Sequence, residues 1–127
     1  MQVGLVGCGF ISDRYLRNAA LFPEFAFAAC TDALPERAAE RAGRYGVAPV
    51  GTVAELLADS EIEVVLNLTT PDAHASVAQA ALDAGKNVYN EKPLAIALED
   101  GKRLVETAQT RDLRLGAAPD TFLGAGL

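Results

Sequence analysis

The sequence has no tryptophan, one methionine, one histidine and only two cysteines, and it carries fewer basic than acidic side chains. Two cysteines cannot build the disulfide framework of a small secreted domain, and Cys8 and Cys30 have no metal-ligand spacing with the lone His74; both read as small core residues at the ends of buried strands. With 11 Lys and Arg against 17 Asp and Glu, the net charge is −6, and the basic residues scatter over predicted helices. That excludes the basic stripe of a nucleic-acid or anionic-membrane binder, so a small anionic ligand has to be held by local groups and not by the overall field. No apolar run reaches the ~18 residues that a bilayer span needs. The first residues lack a basic segment and cleavage site, which makes the cytoplasm the expected compartment. Repeats, low-complexity tracts and internal linkers are absent as well.

What is present is a regular alternation of strand and helix patterns. Half of the residues are hydrophobic and 22% are charged, a globular composition with enough chain to bury a core without staples. Strands are expected at 3–6, 25–31, 47–50, 62–68, 87–90 and 114–118, with helices at 10–21, 35–46, 53–58, 70–85 and 97–110. In the first helix Ile11, Tyr15 and Ala19 are expected to face inward with Leu16 and Ala20 beside them; in the last, Leu98, Gly101, Val105 and Ala108. Thr70, Pro71 and Asp72 suit a helix start, with Thr70 as the cap. Six strands joined by right-handed crossovers imply an α/β fold, a doubly wound, mostly parallel sheet of the Rossmann dinucleotide-binding type, in the order 3-2-1-4-5-6.

The first strand runs into Gly7-Cys8-Gly9-Phe10-Ile11-Ser12. Gly7 suits a tight turn, Gly9 lets a pyrophosphate approach the backbone, and the amides around Phe10 and Ile11 open a helix whose dipole favours an anion. The third glycine of the G-x-G-x-x-G pattern is replaced by Ser12, which is nearly small enough for close helix packing. An ordinary glycine turn would look the same, so the second requirement is an acid about 20 residues on. Asp32 closes the second strand 23 positions after Gly9, where its carboxylate can accept both ribose hydroxyls and repel a 2′-phosphate. This favours NAD over NADP, with Arg37 as the complication, since it could reach a 2′-phosphate or lie over adenine. The other strand ends carry Leu68 to His74, Glu91-Lys92-Pro93 and Asp120. Lys92 can donate a hydrogen bond to a carbonyl oxygen or relay a hydroxyl proton, with Glu91 holding it by charge. His74, in the first turn of its helix, either hydrogen-bonds a ribose or substrate hydroxyl, or is a helix-start residue that faces solvent or caps the loop.

Taken together, Gly7 to Ser12, Thr31-Asp32, Thr69-Thr70-Pro71-Asp72-Ala73-His74 and Glu91-Lys92-Pro93-Leu94-Ala95 resemble the cofactor domain of the Gfo/Idh/MocA oxidoreductases. The resemblance implies a dinucleotide site built from Gly7, Gly9, Phe10, Ile11, Asp32, Arg37, Leu68, Thr69, Thr70, Pro71, His74, Glu91 and Lys92, with Lys92 as the catalytic group and no metal. It also implies hydride transfer between NAD and a sugar, polyol or related hydroxy or carbonyl compound, in a homo-oligomer. On this basis residues 1–120 form the Rossmann domain, 121–127 begin an interdomain segment, and the substrate domain is missing. A chain so truncated should not turn over alone, and Phe122, Leu123 and Leu127 should drive either disorder or association. The alternative is a non-catalytic dinucleotide-binding or regulatory module. Adenosylmethionine-dependent transfer, which also uses a glycine loop and an acid, has no evident use for Glu91-Lys92-Pro93.

Overall fold

Side-chain alternation along the first strand sets the architecture. In β1 (Gln2–Val6), Val3 and Leu5 enter one hydrophobic cluster and Val6 enters another, so the strand is buried on both faces, as a central parallel strand must be. The computed structural model describes residues 1–119. Its further strands are β2 (Ala26–Thr31), β3 (Ala48–Pro49), β4 (Val64–Asn67), β5 (Asn87–Asn90) and β6 (Leu115–Ala117). All pair in parallel, in the order β3-β2-β1-β4-β5-β6. The expected strand order therefore holds. Asp120 and the apolar residues Phe122, Leu123 and Leu127 lie outside the described residues.

Helices cover both faces. On one, Leu16 of α1 (Phe10–Asn18) and Ala38 and Ala42 of α2 (Pro35–Tyr45) pack on Val3, Leu5 and Leu66. On the other, Leu56 of α3 (Val53–Ala58), Ala78, Ala81 and Leu82 of α4 (Pro71–Asp83), and Leu104 and Ala108 of α5 (Leu98–Thr110) pack on Val6, Val65 and Val88. Among the described residues no helix is long and apolar enough to cross a membrane.

Several local expectations are corrected. The inward stripe of α1 is Ser12 and Leu16, with Ile11 and Tyr15 only half-buried at its flank, and the helix tightens into a 3₁₀ turn at Ala19–Leu21. In α5 the sheet meets Leu104 and Ala108, while Leu98 and Val105 are exposed. Ala108 faces inward as expected, and Leu104 takes the place expected of its neighbour Val105. The edge strand β3 shrinks to Ala48 and Pro49, and the missing Pro49 N–H costs no bond to β2, since the Val50 amide donates to Cys30 O at 2.9 Å.

Charge fixes α1 to α2. The Asp13 carboxylate accepts a hydrogen bond from the Tyr45 hydroxyl and pairs with Arg17 and with Arg44, the last at 3.0 Å. Those donors, Tyr45 first and Arg17 next, hold the Asp13 carboxyl below its usual range. A carboxyl lowered on folding stabilises the fold above its unfolded pKa of 3.8, and the contribution is lost as pH falls through the folded value. Asp13→Asn should therefore lower the thermal midpoint at pH 7, and the gap from wild type should close progressively below about pH 4, followed by circular dichroism melts across pH.

Candidate functional site

The chain leaves β1 toward one face of the sheet and β4 toward the other, so a crevice opens outside their carboxyl ends. Gly7 stands at that point with φ +96°, and a Cβ there would lie 2.6 Å from the Leu68 carbonyl carbon and oxygen. Here glycine is required by the backbone and by the contact. The Gly7 amide donates to Thr31 O at 2.9 Å and the Leu68 amide to Val6 O at 2.8 Å, so the loops after β1, β2 and β4 are tied at their roots.

Gly9 differs. Its φ of −72° and ψ of −165° suit any residue, and a Cβ on it would meet nothing within 4 Å. Neither strain nor packing within the protein demands a glycine there; the bare backbone leaves room for a group that approaches it. Gly9 is the N-cap of α1 without a side-chain cap, so the first amides of the helix remain for an anion. Phe10, the first residue of α1, is 94% exposed.

Asp32 lies beside this loop in a cleft of about 600 Å³ that Gly7, Gly9, Thr70 and Arg37 also line. The Cys8 amide donates to Asp32 Oδ2 at 2.7 Å and the Leu34 amide to Oδ1 at 2.8 Å. These bonds orient the carboxylate and leave each oxygen a further lone pair. Arg37, at the start of α2, is exposed on the rim. The Cys8 thiol is pushed up by its hydrogen bond to Cys30 and by burial, which keeps it a core thiol and not a nucleophile.

Leu68 and Thr69 separate this cleft from a larger one, about 810 Å³, lined by Ile11, Tyr15, Pro71, His74, Glu91 and Lys92. Glu91 Oε1 accepts from the Tyr15 hydroxyl at 3.1 Å, and Oε2 accepts from the Lys92 amide at 3.0 Å. Burial first, and then the charge of Glu91, raises the Tyr15 phenol, so it stays a donor. Lys92 is exposed on the cleft wall, and its peptide to Pro93 is cis. His74 is only 1% exposed: Nδ1 lies 2.6 Å from Pro93 O and Nε2 lies 3.0 Å from Thr69 O. It bridges the loops after β4 and β5, and the solvent-facing alternative does not describe it. Thr70 occupies the N-cap position of α4 without a capping bond; its hydroxyl instead helps hold the Asp72 carboxyl below its usual range.

Sequence reasoning overlooked four residues. Asn67 and Asn90 sit opposite each other on β4 and β5, fully buried. The Asn67 side-chain amide donates to Asn90 Oδ1 and to His74 O, its oxygen accepts from the Thr69 hydroxyl at 2.7 Å, and Asn90 donates to Leu94 O. The signal was there, for a polar residue inside an apolar strand pattern must find buried partners. Tyr15 was assigned to the core, and Arg41, whose guanidinium reaches the glycine loop, carries no local sequence signal.

A glycine turn at a helix start, an oriented acid after the second strand and a switch-point crevice define a dinucleotide-binding Rossmann domain. The family model for the Gfo/Idh/MocA oxidoreductases, described as an oxidoreductase family with an NAD-binding Rossmann fold, matches residues 1–118, and the chain belongs to that family. It is 34% identical to inositol 2-dehydrogenase 3 of Saccharopolyspora erythraea, over 91% of this chain and 34% of that protein. Among solved structures, biliverdin reductase from Synechocystis sp. PCC 6803, in complex with biliverdin and NADP+, superposes with a TM-score of 0.91 at 31% identity, over 97% of this chain and 39% of that one. GenD2 from gentamicin A biosynthesis, in complex with NAD, gives 0.89 at 26% identity, over 93% of this chain and 34% of that one. The chain thus spans little more than a third of the length of these relatives.

The two glycines should respond oppositely to alanine. Gly7→Ala should cost about 2 kcal/mol or more, because both φ and the Leu68 carbonyl oppose a Cβ. Gly9→Ala should leave stability within roughly 1 kcal/mol of wild type while weakening dinucleotide binding. Urea unfolding and ligand titration of both variants check the pair.

Proposed function

We propose that this chain is the cofactor half of a cytoplasmic, homo-oligomeric NAD-dependent dehydrogenase acting on a sugar, polyol or related hydroxy compound. Residues 1–120 form the dinucleotide domain and 121–127 lead toward a substrate domain. The observation that carries the reading is the Asp32 carboxylate, oriented by the Cys8 and Leu34 amides in the same cleft as Gly7 and Gly9. A carboxylate so held accepts the two hydroxyls of an adenosine ribose and repels a 2′-phosphate, which favours NAD over NADP. Ala33 and Leu34 follow Asp32, so no arginine stands directly beside it; Arg37 on the rim covers the adenine side.

In this reading the amides of Gly9, Phe10 and Ile11 take the diphosphate, and Leu68, Thr69, Thr70 and Pro71 form the floor between the adenosine and nicotinamide sides. The larger cleft, walled by Ile11, Pro71 and Lys92, takes the nicotinamide, which when bound supplies the hydride acceptor. Lys92 moves the proton at the substrate oxygen, accepting it from the hydroxyl in oxidation and returning it to the carbonyl in reduction. Glu91, held by Tyr15 and by the Lys92 amide, fixes the peptide that carries that lysine. The His74 ring lies between the Pro93 and Thr69 carbonyls at the cleft wall, where its one N–H binds one of them. Substrate orientation needs a second wall, supplied by the remainder of a longer enzyme.

Calorimetric titration of the chain should give tighter binding of NAD than of NADP, and Asp32→Ala should weaken NAD by roughly tenfold or more while narrowing the difference. Tighter NADP binding by the unaltered chain would reverse the cofactor assignment. The chain by itself should make no substantial NADH from a panel of sugars and polyols. In a full-length enzyme containing it, Lys92→Ala should lower kcat by roughly a hundredfold or more with little change in NAD affinity; an unchanged kcat would remove Lys92 from the chemistry.

A further inference from the structure

The position where the glycine pattern is broken is also where a partly buried cation meets the loop. Ser12 is fully buried, and its hydroxyl donates to Gly9 O at 2.6 Å. The same hydroxyl accepts from Arg41 Nε at 3.0 Å, and Arg41 Nη2 reaches Gly9 O at 3.4 Å. The Arg41 side chain is 12% exposed, and its ion-pair partner is the exposed Glu40 on its own helix. Withdrawing part of a guanidinium from water is unfavourable unless its donors are used. Here two of its nitrogens are directed at one serine hydroxyl and one backbone carbonyl.

The Gly9 carbonyl therefore receives three donors: Ser12 Oγ, the Ser12 amide at 3.2 Å, and Arg41 Nη2. The Gly9–Phe10 peptide is trans, so fixing its oxygen inward fixes its N–H in the opposite direction, out of the start of α1. Gly9 has no Cβ and nothing packed over it, so without these bonds the peptide would be among the freest in the loop. The donors convert a flexible peptide into one preset for an anion.

We propose that Arg41, acting through Ser12, is a positioning residue for diphosphate affinity: it holds the Gly9–Phe10 peptide with its N–H directed at the bound anion. The inference rests on the dinucleotide function proposed above and extends it to two residues that touch no ligand. Ser12 in place of a third glycine is then a gain, since a glycine could not relay the contact from α2 to the loop.

The test uses the complete 127-residue chain, with Ser12→Ala, which keeps the packing and the Arg41 charge, Arg41→Met, which keeps the aliphatic stem, and the double variant. Each is titrated by NMR with ADP-ribose, which carries the diphosphate, and with adenosine, which does not; thermal melts report folding. The expected result is a loss of about tenfold in ADP-ribose affinity for each single variant, less than about twofold for adenosine, and a double variant no weaker than Arg41→Met alone. A merely structural role would move the melting midpoint and both ligands together, and that outcome overturns the proposal. So does unchanged ADP-ribose affinity in Ser12→Ala, or losses that add in the double variant. If the unaltered chain binds neither ligand, the dinucleotide function itself fails, and this result is distinct from the others.

Discussion

Two parallel strands end side by side and then part to opposite faces of the sheet, and everything at the site depends on how closely their ends approach. At Gly7 the approach is so close that a Cβ would lie 2.6 Å from the Leu68 carbonyl. That contact brings the glycine loop, the Asp32 turn and the Leu68–Thr69 floor to one edge, linked by amide bonds from Gly7 to Thr31 and from Leu68 to Val6. A parallel sheet buried on both faces makes the arrangement rigid, because β1 cannot shift without carrying Val3, Leu5 and Val6 out of two cores.

The second half of the edge is held by polar groups instead of apolar ones. Asn67 and Asn90 pair across β4 and β5, and with His74 they tie down the loops at Thr69 and at Pro93-Leu94. A buried network of this kind is favourable only when its members are satisfied, which makes it unforgiving and specific. The result is that Lys92, although exposed, rises from a base with little freedom: its amide is bound to Glu91, and Glu91 to Tyr15. Fixity at the root suits the proton-transfer role proposed for Lys92.

Much of this was legible in the sequence because strand ends, turn glycines and helix caps are local. Gly7, Asp32, Thr70-Pro71 and Glu91-Lys92 each stand where their neighbours predict, and the alternation of patterns sufficed for the sheet order. What stayed hidden was tertiary. Ser12 is buried on α1 where Arg41 reaches it from another helix, and no periodicity within residues 10–21 reports that. In α5 the periodicity placed Ala108 correctly, yet Leu104 is buried where Leu98 and Val105 were expected. Asn67 and Asn90 were visible as polar residues in apolar runs, but that they face each other follows only from the β4–β5 register. His74 shows the same limit, since its two carbonyl partners come from different loops.

The glycine loop, the oriented acid and the lysine loop thus lie along one edge of the sheet, whose shape is set by backbone contact. A crystal structure of the chain with NAD tests this most directly. The account predicts the diphosphate against the amides of Gly9, Phe10 and Ile11, the adenosine ribose on Asp32, and the nicotinamide in the cleft beside Lys92. NAD bound elsewhere on the molecule, or lying across the edge in the reverse direction with its adenosine beside Lys92, would contradict it.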